Sequence, residues 1–91
     1  MAAIRIHLPA ALRDRAAGAE IVPVEAGSVA EALETLADRH PDLGPLLFRE
    51  RGVLRPHVNV FVERRGAGEA AGNGPLRDGD EIRIVPSIAG G

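Results

Sequence analysis

Polar and apolar residues alternate near the start of the chain. Ile4, Ile6 and Leu8 fall on one side of residues 3–8 and Arg5 and His7 on the other, the period-two signature of a half-buried strand, which Pro9 stops. Residues 10–19 form an Ala/Arg/Gly connection. A second short strand is predicted over residues 20–25, and Pro23 confines it to a sheet edge because proline offers no N–H to a ladder. Two strands in succession imply a hairpin. The period then changes. Ser28 precedes Val29 and Glu31 follows three residues later, a capping box in which Ser28 accepts from the third helical N–H while Glu31 reaches back to the Ser28 amide. Val29, Leu33, Leu36 and Ala37 recur at helical spacing on one face, with Glu31, Glu34, Thr35 and Asp38 on the other. Pro41 closes this amphipathic helix after about three turns.

Leu43, Leu46, Leu47 and Phe48, set around Gly44-Pro45, predict a short helical turn that plugs one end of the core. Residues 49–56 read as a breaker stretch. Alternation returns with Val58, Val60 and Val62 on one side and His57, Asn59, Phe61 and Glu63 on the other, a third strand. Residues 65–75 are a Gly/Ala-rich loop without hydrophobic pattern and without chemistry. Asp78-Gly79 marks a tight turn that opens directly into a last strand over residues 81–85. The pattern predicts an α+β domain over residues 1–86, with at least four strands covering one main helix on one side, followed by a tail over residues 87–91.

Composition narrows the function. Leu, Ile, Val and Phe supply 25 of the 91 residues, enough for one modest core. A formal net charge of −2 with interspersed signs gives no footprint for a phosphate backbone, and two Phe without Trp or Tyr give no stacking platform, so nucleic-acid binding is not expected. Without Cys there is no thiol nucleophile or thiolate metal site. Without Lys there is no Schiff base and no side-chain isopeptide acceptor. No apolar run is long enough for a membrane span and no secretory pattern opens the chain, so a cytoplasmic location is the expectation.

Conventional catalysis finds no support. The hydroxyls are Ser28, Thr35 and Ser87, read as a helix cap, a solvated helix position and part of the tail. His7 and His57 fall on outward strand faces and His40 at a helix end, where cations suit the dipole. Asp78, Asp80 and Glu81 lack the spacing of a calcium loop and are accounted for by the Asp-Gly turn. No metal site and no catalytic side chain are expected.

What remains is the end, Pro86-Ser87-Ile88-Ala89-Gly90-Gly91. Two glycines without Cβ atoms pass through a channel too narrow for other residues, and the five residues beyond Pro86 reach about 17–18 Å when extended. A terminal carboxyl ordinarily titrates at about 3.3–3.7, so at neutral pH it is an unreactive anion that needs activation. Conversion to an acyl adenylate with ATP releases pyrophosphate, and attack by a sulfur nucleophile then releases AMP and leaves a thiocarboxylate.

The strand around Val58-Asn59-Val60-Phe61-Val62, the run Leu76-Arg77-Asp78-Gly79-Asp80-Glu81-Ile82-Arg83-Ile84-Val85-Pro86 and the terminal Gly90-Gly91 occur in the order and spacing of the ubiquitin-like sulfur-carrier family of MoaD and ThiS, which the chain resembles over nearly its whole length. The resemblance implies a β-grasp fold, a mixed sheet of four to five strands packed on one main helix with a flexible C-terminal Gly-Gly tail. It implies adenylation of Gly91 by an E1-like adenylyltransferase/sulfurtransferase using ATP, with Gly90 letting the tail thread and no cofactor bound by the domain itself. The His57–Val62 strand and the Val85–Gly91 ending look nearer to the carriers of cysteine biosynthesis. That kinship implies a cysteine-synthase-like or thiazole-synthase-like acceptor of sulfur. The alternatives are the molybdopterin synthase small subunit, whose tail completes a partner's site, and a protein modifier joined to a target Lys. In a β-grasp sheet, Arg5, His7, Asn59, Phe61, Arg83 and Val85 share the face opposite the helix. These residues, with Ile88 on the tail, are the expected partner-docking surface, an exposed Phe61 rimmed by Arg.

Overall fold

The computed structural model describes residues 1–50, 53–64 and 75–86. The first strand, β1 (Ala2–His7), pairs antiparallel with β2 (Ile21–Ala26) as the predicted hairpin. The residues between them are not a plain connection. They form a helical turn, α1 (Ala10–Arg13), continued by a 3-10 turn over Asp14–Ala16. Leu8, Leu12 and Ala16 recur every four residues and are all buried, so this stretch closes the lower end of the core. Only three apolar residues mark that period among Ala and Arg, which hid it from the pattern.

Helix α2 (Val29–Arg39) starts as expected, with the Glu31 N–H donating to Ser28 Oγ at 3.2 Å. The second half of the cap differs by one residue. Glu31 Oε1 accepts from the Gly27 N–H at 2.9 Å rather than from that of Ser28, because the side chain leans back along the helix past its extended N-cap. Ala32, Leu33 and Leu36 are its buried face, and Val29 packs at the margin. After Pro41 a 3-10 turn (Pro41–Leu43) and α3 (Gly44–Leu47) bury Leu43 and Leu47 completely, the plug that the leucine spacing called for.

The breaker stretch is in part a small ribbon. β3 (Phe48–Glu50) pairs antiparallel with β4 (Val53–Leu54), apart from the main sheet. Two strands this short lack the alternation that would announce them. β5 (Val58–Glu63) and β6 (Glu81–Pro86) then complete a four-stranded sheet in the order β2-β1-β6-β5. β6 lies parallel to β1 and antiparallel to β5, so the first and last strands are central neighbours and β2 and β5 form the edges. Ile4, Ile6, Val22, Val24, Val62, Ile82 and Ile84 point from the sheet into the core beneath α2. Burying each is worth about 1.5–3 kcal/mol relative to exposure. Most of the 65–75 loop lies outside the described residues.

Among the described residues one polar side chain, that of Asp80, is buried with them. The Asp78-Gly79 turn forms with Gly79 at φ +89°, and Asp78 Oδ1 accepts from the Ala3 N–H at 2.8 Å. Asp80 does more than belong to that turn. Its carboxylate is fully buried and takes two bonds from Arg64, Nε to Oδ1 and Nη2 to Oδ2, both 3.0 Å, and a third from the Arg77 N–H at 2.9 Å. Arg64 Nη2 also donates to the Pro75 carbonyl at 3.2 Å. The guanidinium therefore ties the end of β5 to the turn that starts β6. The bonds from Arg64 hold the Asp80 carboxyl below the usual carboxylate range; burial opposes them, and the Arg77 amide adds to them.

In the folded chain Asp80 binds its proton more weakly than in the unfolded chain. The stability it contributes is therefore full above the ordinary carboxylate value of about 3.9 and is lost as pH falls from there through the folded value. Asp80→Asn should lower Tm by about 5–10 °C at neutral pH and flatten the loss of stability below about pH 4. Thermal unfolding of both proteins across pH 2–7 checks this, and parallel acid curves would contradict it.

Candidate functional site

Strand pleating leaves β1, β2, β5 and β6 with a second face, opposite α2. The registers place Phe61 across from Arg83, Arg83 across from His7, and His7 across from Ile21, one row spanning the whole sheet. A second row runs Glu63, Glu81, Arg5 and Pro23, and Asn59 sits across from Val85. All six docking residues expected within the sheet thus occupy contiguous positions. Phe61 is 51% exposed and Val85 44%, values that set them apart from the buried Val62 and Ile84 beside them.

Charge on this face is organised by Glu81. Arg5 Nη2 donates to Glu81 Oε2 at 3.2 Å, and His7 Nε2 bonds Glu81 Oε1. Arg83 Nε donates to Glu63 Oε1 at 3.0 Å. His7 is therefore half-buried and engaged, not the plain surface residue that alternation suggested; a neighbouring strand's carboxylate is invisible in a period-two pattern. The face also holds Ile21, Pro23, Glu63 and Glu81, which the expected docking set does not include. Ile21, 39% exposed, ends the Phe61 row, and Glu81, the first residue of the expected last strand, joins Arg5 and His7. The alternation of Ile21, Pro23 and Glu25 against Val22, Val24 and Ala26 was the available signal for the first.

β6 runs parallel to β1, so it delivers the chain to the end of the sheet where β1 finishes and β5 begins, with Pro86 across from Val58. A cavity of about 230 Å³ lies at this end, lined by residues that include His7, Arg13, Arg83 and Val85. Gly90, Gly91 and Ile88 lie outside the described residues, as does Ser87. Ser28 is the helix cap, and Thr35 is half-buried on α2 rather than solvated. Among the described residues no three His, Asp or Glu are placed to hold a metal ion, and no helix is long and apolar enough to cross a membrane.

The family model described as "ThiS family" matches residues 6–91. A protein of Archaeoglobus fulgidus named "Putative sulfur carrier protein" is 31% identical over 90 residues, covering 98% of this chain and 99% of its own. The crystal structure of small archaeal modifier protein 1 from Haloferax volcanii superposes with a TM-score of 0.79 at 32% identity, over 98% of this chain and 99% of that one. The Amycolatopsis orientalis BexX/CysO complex matches with a TM-score of 0.77 at 27% identity, over 97% of this chain and 99% of that one. The fold is the β-grasp, ubiquitin-like fold.

Phe61 lies half exposed on the outer face, so the fold should tolerate loss of its ring. Phe61→Ala should change unfolding free energy by less than about 1 kcal/mol, while Ile82→Ala, on the same sheet but fully buried, should cost about 2–5 kcal/mol. Urea denaturation of the two variants checks the contrast.

Proposed function

The chain belongs to the ThiS family of ubiquitin-like sulfur carriers and modifiers, and from that premise we propose that its working group is the Gly91 carboxylate, carried as a protein cosubstrate without catalytic side chains. The observation that carries the reading is the family match itself, which runs over Gly90-Gly91 to residue 91. A carboxylate oxygen of Gly91 attacks the α-phosphorus of ATP held by an E1-like adenylyltransferase, and pyrophosphate leaves. A sulfur nucleophile then attacks the acyl carbonyl and AMP leaves, giving a terminal thiocarboxylate. The thiocarboxylate hands its sulfur to an acceptor synthase of the cysteine-synthase-like or thiazole-synthase-like kind. The domain binds no cofactor of its own in this scheme; ATP belongs to the activating enzyme.

The globular part serves as the handle. Phe61 and Val85, rimmed by Arg5, His7, Asn59 and Arg83, dock on the partner, and Ile88 extends that contact along the tail toward Gly91. Exposed apolar area inside a ring of charge-assisted donors suits such a contact. The related CysO is held in a complex with BexX, which supports a partner protein for this chain as well.

The likeness to small archaeal modifier protein 1 favours a second reading, in which the same activated carboxyl is joined to a Lys of a target protein. Incubation with ATP, a cognate activating enzyme and a sulfide source separates the two. Intact mass should rise by the difference between sulfur and oxygen for a carrier, whereas higher-mass conjugates mark a modifier. Removal of Gly90 and Gly91 should abolish either product, and unimpaired sulfur delivery by that truncated chain would overturn the proposal. Phe61→Ala should lower kcat/KM for activation about tenfold with the fold intact. Unchanged kinetics would remove Phe61 from the docking face.

A further inference from the structure

The two edges of the sheet are not alike. At the β2 edge the backbone groups that face outward belong to Ile21, Pro23 and Glu25, since the Leu8 N–H donates to the Glu20 carbonyl and the intervening positions face β1. Pro23 has no N–H, and its carbonyl accepts from Arg39 Nη1 of α2 at 2.6 Å. That edge is closed at its centre.

Among the described residues the β5 edge is open. The Arg5 N–H donates to the Asp80 carbonyl at 3.2 Å, so Ile82 and Ile84 turn their backbone groups to β1, while Glu81, Arg83 and Val85 turn theirs to β5. Asn59, Phe61 and Glu63 therefore bond toward β6, and Val58, Val60 and Val62 face outward. The bond from the Val58 N–H to the Arg55 carbonyl, 3.0 Å, agrees with this phase. Among the described residues nothing bonds the outward N–H and C=O of Val60 or Val62. β5 carries no proline, and the side chains of Val58 and Val60 on its core face are only half-buried, because α2 packs over β2 at the far side.

We propose that this edge pairs with the same edge of a second copy of the chain, antiparallel and centred on Phe61. In that register Val60 of each copy lies opposite Val62 of the other, which uses all four free groups. Phe61 meets Phe61 of the second copy at a non-hydrogen-bonded position, where Cα atoms approach to about 4.5 Å and aromatic cross-strand pairs are favourable. Asn59 faces Glu63 of the second copy, so no like charges are directly opposed. Moving the centre to Val60 would call on the Val58 N–H, which Arg55 already holds. The product is one continuous sheet of two four-stranded halves, with both α2 helices at its outer ends. The pairing does not depend on the chemistry proposed for Gly91.

A single strand pair buries less than the roughly 1,200 Å² of ordinary stable interfaces, so the association is weak and reversible. Sedimentation and light scattering from about 10 μM to about 1 mM should show the mean mass rising from one chain toward two. Amide shifts that move with concentration should concentrate at Val60, Phe61 and Val62. Phe61→Glu places a carboxylate beside Arg83 in its own chain but against its twin across the axis. Val60→Pro removes an outward N–H without breaking the β5–β6 ladder. Each should weaken association at least tenfold, and Phe61→Glu decides alone if the proline variant does not fold. A mass that stays at one chain throughout, or association undiminished in Phe61→Glu, overturns the proposal. Shifts at the β5 edge that appear only when an activating enzyme is added also overturn it, and assign the edge to a partner's strand.

Discussion

The parallel pairing of β6 with β1 governs the geometry of everything else in this protein. It puts the last strand at the centre of the sheet, where Ile82 and Ile84 are buried on the core face and Arg83 and Val85 emerge on the other. It also sets direction. A parallel β6 carries the chain to the end of the sheet where β1 finishes, with Pro86 across from Val58 at that end. An antiparallel last strand would have finished at the opposite end of the sheet.

Where β5 ends and β6 begins, a buried carboxylate paired with Arg64 joins the two strands. Two charges out of water are costly, and their attraction offsets that cost only when geometry is good and the remaining bonding capacity is filled. Asp80 meets both conditions, with two bonds from one guanidinium and a third from the Arg77 backbone. Arg64 adds the Pro75 carbonyl, so one side chain links the end of β5, the approach to the turn and the turn itself. An apolar pair there would bury as well but would not set the positions of three backbone segments.

On the outer face, charge is interleaved so that few groups stand alone. Glu81 serves Arg5 and His7, and Glu63 serves Arg83, on neighbouring strands. Phe61 and Val85 keep their exposure within that polar frame. Exposed pairs of this kind add little to stability. Their effect is to give the exposed Phe61 and Val85 a patterned, charged rim.

Strand periodicity, the capped helix, the leucine plug and the Asp-Gly turn were legible because each depends on residues within a few positions of one another. So was the placement of Arg5, His7, Asn59, Phe61, Arg83 and Val85 on one sheet face, since strand parity alone decides which side chains oppose the helix once the order of strands is assumed. The helical turn after Pro9 and the β3–β4 ribbon were not, being too short to repeat a pattern. The sequence by itself determined the core faces of the four sheet strands and of α2, where the capped helix starts and stops, and that two glycines follow the last strand. Only the tertiary structure decided that Asp80 is a buried anion clasped by Arg64, that His7 shares Glu81 with Arg5, and that one sheet edge is closed at its centre while, among the described residues, the other is open. Those outcomes join residues up to 76 positions apart, and the energy of a buried charge or an unpaired edge depends on what the fold brings beside it, which no local pattern encodes.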